Sequence, residues 1–332
     1  LNINGNISNN NSMTMIKPFN LPIVNKLDNQ LYNTIQNRPM NNINTLINQQ
    51  QATTIPQITN QSIGLMNNII SPSNQIKQQP YNNPNKKGVD ITYTDFDGTG
   101  YIKNYGGVSR PGNDETGKQK IDQDTFVTLT NINGVKDFNI FGVLDGHGIQ
   151  GHFVSQFMSR FIPSQIINNP EIRMLKDTEF IYQKLKENNF IIIKNTYQLA
   201  DNTLAAGHEI DASNSGTTCV LVFQIGKHII CANAGDSRAL LVYDQNSDPN
   251  LNYLHAAALS MDFKPELPDE AARIANSGGV VMKLKDRNGQ EIGPFRVFAR
   301  GSEYPGLAMS RSIGDLIGKQ VGVIPLPGIT ES

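Results

Sequence analysis

The chain has no tryptophan and only two cysteines among its 332 residues. Cys219 and Cys231 both lie in apolar, strand-like stretches, so we expect two buried thiols rather than a disulfide. Unpaired thiols are typical of a reducing compartment. The low cysteine count therefore argues against a disulfide-stabilised secreted module, and a zinc site would also need more Cys or His ligands.

Net charge and long apolar runs are also lacking. The 28 basic and 29 acidic residues leave a formal net charge of −1, so no overall field favours nucleic acid or an acidic membrane. No apolar run is long enough to span a bilayer, and the N-terminus does not resemble a signal peptide. We therefore expect an intracellular protein, cytoplasmic or nuclear, with no nucleic-acid partner and no membrane span.

Acidic residues are almost absent from the first part of the chain, where Asp28 is the only one before Lys87. This stretch is rich in Asn, Gln, Ile, Pro and Thr and has no sustained helical or strand period. Such a composition cannot bury enough apolar surface to offset the entropy of the chain. We therefore expect residues 1–87 to be a disordered tail; the alternative is an aggregation-prone or phase-separating tract.

The remaining residues, 88–332, show the periodicities of a folded domain. Alternating or continuous apolar runs predict antiparallel strands, including a hairpin over residues 125–144 and a second hairpin through Gly226. Apolar positions recur at helical spacing over residues 150–162. Phe153, Phe157 and Phe161 are four residues apart, Val154, Met158 and Ile162 widen this stripe, and the aromatics are expected in the core. Pro163 should end the helix. A longer helix is predicted over residues 178–205 and a short one over 268–277. The pattern favours sheets stacked with helices outside.

Polar side chains with catalytic potential follow the predicted strands. Asp124 enters one strand, Asp145 leaves the next, and the two ends are neighbours if the strands pair antiparallel. Asp145-Gly-His147 follows a buried strand, and Asp236 follows another. Carboxylate oxygens suit Mg²⁺ or Mn²⁺, and two such ions bridging a water would provide a nucleophile and hold a phosphoryl group. His147 is then suited to protonate a leaving oxygen, although a plain polar turn is the simpler alternative.

Eight stretches, in this order, resemble the metal-dependent protein serine/threonine phosphatases of type 2C. These stretches are Lys120–Asp124, Phe141–Gly148, Ser215–Thr218, Ala232–Arg238, Asp262–Pro265, Arg273–Gly279, Pro305–Asp315 and Gly322–Pro325. The resemblance covers residues 88–332 and leaves the tail outside. It implies an α+β fold, a four-layer αββα sandwich of two antiparallel sheets flanked by helices. It also implies phosphorylated protein substrates.

The resemblance also implies a binuclear Mg²⁺ or Mn²⁺ site with two ions. Asp145 matches the metal-bridging aspartate, and Gly146 matches the residue that contributes a carbonyl or water-mediated contact. Asp124 matches the aspartate of the early acidic motif, and Asp236 matches an aspartate linked to a third, weaker ion. His147 matches the proposed general acid.

The cation that grips the phosphate precedes the early acidic motif in this family. Lys118, Lys120 and Arg110 all lie in that region, and the sequence does not choose between them.

The chain departs from the family pattern in three places. Gln123 stands where many members have Glu, so one metal contact is expected to be indirect, and Phe263 replaces a frequent His. Two further metal-binding aspartates are expected downstream of Gly322, whereas Glu331 is the only acidic residue after Asp315. We therefore expect the C-terminal part of the fold to be missing, and the chain as printed to hold part of the metal site and to be inactive or nearly so.

Three other functions are alternatives to the phosphatase. Calcineurin-like metallophosphoesterases need several metal-binding histidines, which the five histidines here do not supply in that pattern. A cysteine phosphatase loop requires five residues between its Cys and Arg, whereas six separate Cys231 from Arg238, and Cys231 lies within an apolar run. The third alternative is a phosphatase-like pseudoenzyme or scaffold that binds phosphoproteins without turnover; Asp145, His147 and Asp236 argue against it.

Overall fold

The structure is a computed structural model that describes residues 90–94, 100–244 and 254–332. The expected disordered tail, residues 1–87, lies outside the described residues. The described part forms fourteen strands and four α-helices. The strands are β1 Asp90–Thr94, β2 Asn104–Val108, β3 Asp124–Leu129, β4 Phe138–His147, β5 Gly216–Thr217, β6 Cys219–Ile225, β7 His228–Ala234, β8 Leu240–Asp244, β9 Leu254–Ala258, β10 Gly279–Lys285, β11 Glu291–Ala299, β12 Pro305–Leu307, β13 Ile313–Gly314 and β14 Gly328–Glu331. The helices are α1 Gly151–Ile167, α2 Thr178–Ala206, α3 Pro268–Asn276 and α4 Leu316–Lys319.

Seven strands form the main sheet, in the order β13-β5-β4-β6-β7-β14, with β3 also paired to β4. Both predicted hairpins are present: β3 pairs with β4, and β6 pairs with β7 through Gly226, whose φ of 57° suits glycine. Each pair of neighbouring strands in the described part runs antiparallel. The structure therefore confirms an α+β fold built on antiparallel sheets.

Helices α1 and α2 cover one face of the main sheet and form the larger core with it. Phe138, Leu144 and Phe223 of the sheet are fully buried against this helical layer. A smaller apolar cluster around Val220, Cys231 and Leu259 lies on other positions of β6, β7 and their neighbours. Because successive strand residues point to opposite faces, continuous apolar runs in β6 and β7 supply both clusters.

Helix α1 is longer than predicted, and one aromatic of the predicted stripe remains exposed. Pro163 does not end the helix, which continues to Ile167 because Ile166 and Ile167 extend the buried stripe beyond the proline. Val154, Met158 and Ile162 are among the fully buried positions, whereas Phe153 remains 43% exposed. The predicted stripe therefore faces the core at Val154, Met158 and Ile162, whereas the expectation that its aromatics are core residues is wrong at Phe153.

Helix α2 begins at Thr178 and is capped by Asp177, whose Oδ1 accepts from the backbone N–H of Glu179 and Phe180 at 2.8 and 3.1 Å. Its bounds agree with the predicted helix over residues 178–205. The helix is interrupted at residues 187–190, where Asn188, Asn189 and Phe190 have positive φ. No helix in the described part is both long and apolar enough to cross a membrane.

Candidate functional site

The carboxylates of Asp124 and Asp145 face each other where β3 begins and β4 ends. The two residues are direct partners in the antiparallel register, as the sequence predicted. Partial burial, the Asp145 carboxylate and the Asp122 carboxylate raise the pKa of Asp124 to about 6. Partial burial and the Asp236 carboxylate likewise raise the pKa of Asp145, although His147 opposes this. Negative charge is therefore concentrated at this edge of the sheet.

Backbone contacts fix the end of β4. The Asp145 N–H donates to Thr218 Oγ1 at 2.9 Å, and the Thr218 N–H donates to the Asp145 carbonyl at 2.9 Å. The Gly146 N–H donates to the Gln123 carbonyl at 3.2 Å. A Cβ on Gly146 would lie 2.4 Å from the Gly151 carbonyl oxygen and 2.6 Å from that of Gln123. Only glycine therefore allows the strand to pass this closely between β3 and α1.

Asp236 lies at the end of β7, in contact with a lysine. Lys264 Nζ is 2.5 Å from Asp236 Oδ2, with both side chains partly exposed. The Thr218 and Ser237 hydroxyls are 2.6 Å apart and connect the Asp236 turn to the Asp145 backbone. After burial, the Asp236 carboxylate also contributes to raising the pKa of Asp145. The structure therefore brings Asp124, Asp145 and Asp236 to one region.

The donor atoms at this edge fit a hard divalent cation. Asp124 and Asp145 provide opposed carboxylate oxygens, and the buried Gln123 Oε1 beside Gly151 has no hydrogen-bond partner. No three His, Cys, Asp or Glu side chains in the described part converge on one point. Mg²⁺ is compatible with this arrangement because it commonly binds through one or two carboxylates and retains several waters.

His147 ends β4 two residues after Asp145 and is paired with a buried acid. Its Nε2 lies 2.7 Å from Asp315 Oδ2, and the Asp315 side chain is 1% exposed. Burial would lower the pKa of His147, but Asp315 and Asp145 raise it above its ordinary value. Burial would raise the pKa of Asp315, but His147 and Lys319 hold it below its ordinary value. The geometry thus favours an imidazolium–carboxylate pair.

The three candidate cations for phosphate lie at different places. The Lys118 backbone closes a turn with Asp114 through hydrogen bonds of 2.8 and 3.0 Å. Lys120 is close enough to lower the pKa of the same Asp114. Arg110 adjoins Ser109, whose hydroxyl donates to Asp122 Oδ2 at 2.6 Å. Asp122 Oδ1 in turn accepts from the Asp124 N–H at 3.1 Å, so Arg110 is connected to the acidic pair.

Sequence reasoning assigned no role to Asp315, Thr218 or Lys264. Each lies in one of the eight stretches, but its partner is distant in sequence: Asp315 pairs with a residue 168 positions away, and Thr218 with one 73 positions away. Gly216 carries a further signal, since a Cβ there would lie 2.2 Å from Asp315 Oδ2. The sequence shows Gly216, but it does not show that Asp315 Oδ2 occupies the space of a side chain at this position.

Three further residues lie outside this constellation, namely Cys219, Cys231 and Glu331. Cys219 and Cys231 are buried free thiols, as expected, and burial raises the pKa of Cys231 to about 12. Such a thiol is a poor nucleophile, which contradicts the cysteine phosphatase alternative. Glu331, on β14, accepts from the Tyr182 hydroxyl and pairs with Lys186 at 2.9 Å in both contacts. It therefore interacts with α2.

Comparisons with known proteins agree on one family. Residues 112–332 match the family model described as "Protein phosphatase 2C". "Probable protein phosphatase 2C 12" of Oryza sativa subsp. japonica is 32% identical over 247 residues, covering 65% of this chain and 61% of the relative. "Probable protein phosphatase 2C 34" of Arabidopsis thaliana is 35% identical over 221 residues, covering 65% of this chain and 59% of the relative. The chain thus spans about three fifths of the length of these curated relatives.

Solved structures support the same fold. The crystal structure of serine-threonine phosphatase 2C from Toxoplasma gondii aligns with a TM-score of 0.51 and 23% sequence identity, covering 63% of this chain and 68% of that chain. At this identity the likeness concerns the fold alone. It agrees with the antiparallel α+β architecture described above.

Proposed function

Because the chain belongs to the protein phosphatase 2C family, we propose that the full-length protein hydrolyses phosphoserine and phosphothreonine in phosphorylated proteins. The observation that carries this proposal is the opposition of Asp124 and Asp145 across the β3–β4 ladder. The Asp145 carboxylate helps to raise the pKa of Asp124, and two like charges at one sheet edge are costly unless a cation or proton offsets them. The natural counter-ion at oxygen ligands of this kind is Mg²⁺ or Mn²⁺.

Asp124 and Asp145 would hold the proposed ions, with Gly146 and Gln123 contributing oxygen contacts directly or through water. Asp236 would hold a further, weaker ion. When bound, two such ions supply neutralisation of phosphoryl charge and a lowered pKa for the attacking water. The protein itself holds the Asp145 carboxylate in place, because Thr218 forms hydrogen bonds with the Asp145 backbone.

His147 is proposed as the general acid. It shares the end of β4 with Asp145, so a phosphate held at Asp145 would lie near its ring. Burial would lower the pKa of His147, but Asp315 and Asp145 raise it above its ordinary value, which favours the protonated ring. Protonation of the seryl or threonyl oxygen makes an alkoxide into a neutral alcohol, and general acid catalysis of this kind typically contributes about 10²- to 10⁴-fold.

Arg110 is the proposed phosphate-gripping cation among the three candidates. The hydrogen bonds through Ser109 and Asp122 connect it to Asp124, whereas Lys118 and Lys120 are associated with Asp114. Its planar guanidinium also suits two phosphate oxygens at once. On this proposal, Arg110→Gln raises KM for a phosphopeptide more than Lys118→Gln does.

Phosphate release from a phosphothreonine peptide tests the proposed function. The full-length protein should be inactive in EDTA and active with Mn²⁺, and Asp145→Ala should abolish both Mn²⁺ binding and turnover. Cys231→Ala is the control and should retain activity, since that thiol is buried away from solvent. Activity that survives EDTA would refute the metal mechanism. Tight Mn²⁺ and phosphopeptide binding without any turnover would favour the pseudoenzyme or scaffold.

A further inference from the structure

The two ring nitrogens of His147 are in different environments. Nε2 lies 2.7 Å from Asp315 Oδ2, in a pair whose carboxylate is almost completely buried. Nδ1 is also buried but has no hydrogen-bond partner among the described residues. A buried polar atom without a partner is costly, so an orphaned nitrogen beside Asp145 points to a group that binds there during function.

Asp315 is held rigidly against the ring by two short strand pairings. In the sheet, His147 is the register partner of Gly216, and Gly314 pairs with the same Gly216 from β13. Gly216 therefore lies between the strand that carries His147 and the strand that leads into Asp315, and the absence of a side chain there leaves room for Asp315 Oδ2. The Asp315 N–H donates to the Ser215 carbonyl at 2.9 Å.

Further contacts fix the backbone that carries Asp315. Its φ of 50° lies in the left-handed region, which is uncommon for a residue with a side chain. The preceding N–H, of Gly314, donates to the buried Asp201 Oδ1 at 2.9 Å. Lys319 Nζ is 3.3 Å from the same Asp201 oxygen and donates to the Ser312 carbonyl. Asp201 thus anchors the loop without touching His147.

We propose that Asp315 is a positioning residue that holds the Nε2–H of His147 and so makes Nδ1 the atom that donates the proton. This inference rests on the proposed phosphatase function. As water adds its oxygen to phosphorus, the phosphorus–oxygen bond to serine or threonine breaks and the Nδ1 proton moves to the leaving oxygen. The proton released by the attacking water returns to the ring, so the reaction yields the alcohol and inorganic phosphate.

Nitrogen NMR of the chain labelled with ¹⁵N-histidine tests the tautomer independently of turnover. The His147 signals, assigned by comparison with His147→Gln, should show a directly bonded proton on Nε2 of the neutral ring. Asp315→Asn should redistribute that proton toward Nδ1, because an amide can donate to Nε2 as well as accept from it. A wild-type ring protonated at Nδ1 would overturn the inference even if the protein is an active phosphatase.

Kinetics of the full-length protein separate positioning from a purely structural role. Asp315→Asn should lower kcat on a phosphothreonine peptide about 10²- to 10⁴-fold. The kcat of the same variant on p-nitrophenyl phosphate, whose leaving group needs no proton, should stay within a few-fold of the wild-type value. When Asp315→Asn is added to His147→Gln, kcat on either substrate should not fall further.

Asp201→Asn is the matched control, since it loosens the same loop from the far side. It should lower turnover of both substrates by similar factors. Equal losses on the two substrates for Asp315→Asn, or additive losses with His147→Gln, would overturn the positioning role. If wild-type protein hydrolyses neither substrate, the proposed function fails, and the NMR result still decides whether Asp315 sets the tautomer.

Discussion

At the scale of the residue, Lys264 occupies the position that a cation would take at Asp236. Its ammonium is 2.5 Å from Asp236 Oδ2. Binding of a divalent ion to Asp236 must displace this lysine or share the carboxylate with it. Because partly exposed ion pairs contribute about 0.2–1 kcal/mol, Lys264→Gln should tighten the weaker Mn²⁺ site by about 1.5- to 5-fold. Calorimetric titration measures this change.

Lys285→Gln provides the control for Lys264. Lys285 lies exposed at the end of β10, so its replacement alters net charge equally without touching Asp236. Mn²⁺ affinity should remain at the wild-type value in this variant. Weaker Mn²⁺ binding in Lys264→Gln would mean that the lysine supports the site instead of competing with the ion.

Asp124 should make the stability of the metal-free protein depend on pH. Its pKa is raised from 3.8 to about 6, so the folded state binds a proton more tightly than the unfolded state does. The contribution of Asp124 to the free energy of unfolding therefore decreases as the pH rises from about 4 to about 6. Above pH 6 both carboxylates are charged and their repulsion persists. Asp124→Asn should increase the free energy of unfolding at pH 7.5 by about 1 kcal/mol, after allowance for solvent screening.

Urea unfolding at several pH values in EDTA tests this prediction. The increase in the free energy of unfolding caused by Asp124→Asn should become smaller as the pH falls from 7.5 to 5. Added Mn²⁺ should stabilise the wild type more than the variant. Asp114→Asn is the comparison, because the Thr116 hydroxyl lowers the pKa of Asp114 and its charge is favourable. A loss of stability for Asp124→Asn at pH 7.5 would contradict the repulsion.

At the scale of the element, helix α3 is joined to the Asp315 loop by a buried charged triad. Glu270 pairs with Arg273 and Arg311, with contacts of 2.7 Å to each and all three side chains at most 2% exposed. Burial alone would raise the pKa of Glu270, but the two guanidiniums hold it well below its usual range. The triad thus connects α3 to the segment that begins at Ser310 and ends at Asp315.

Glu270→Gln should destabilise the protein by about 3–5 kcal/mol, because it leaves two buried guanidiniums without a counter-charge. Glu266→Gln, at an exposed position nearby, should stay within about 0.5 kcal/mol of wild type. Because the pKa of Glu270 is lower in the folded protein than its ordinary value of 4.5, the carboxylate stabilises the fold fully above pH 4.5. This stabilisation decreases as the pH falls below 4.5. The difference between wild type and Glu270→Gln in denaturant unfolding should therefore narrow at acid pH; a difference independent of pH would contradict the triad's role.

Local sequence patterns predicted the strands and helices more accurately than they predicted the residues at which these elements end. The β3–β4 and β6–β7 hairpins and helix α2 follow from alternation, turn residues and helical spacing, which act over a few residues. Pro163 within α1 could not be foreseen, because burial of Ile166 and Ile167 beyond it is a tertiary effect. The exposure of Phe153 beside the buried Val154 likewise depends on the sheet that the helix meets.

At the scale of the whole molecule, the site was predictable where it follows from strand ends. The register of β3 and β4 brings Asp124 opposite Asp145 because a hairpin joins them. Asp315 and Lys264 could not be placed, since their contacts join segments far apart in the chain. The family relationship supplies the expected chemistry, while the tertiary fold identifies which residues orient it.

The central claim is that divalent ions at the Asp124–Asp145 edge are required for phosphatase activity. One titration tests it: bound Mn²⁺, measured by electron paramagnetic resonance, is followed together with phosphate release from a phosphothreonine peptide by the full-length protein. Turnover should rise in proportion to bound Mn²⁺ and vanish in EDTA, and Asp145→Ala should lose both signals. Turnover without bound Mn²⁺, or unchanged Mn²⁺ binding in Asp145→Ala, would contradict the account.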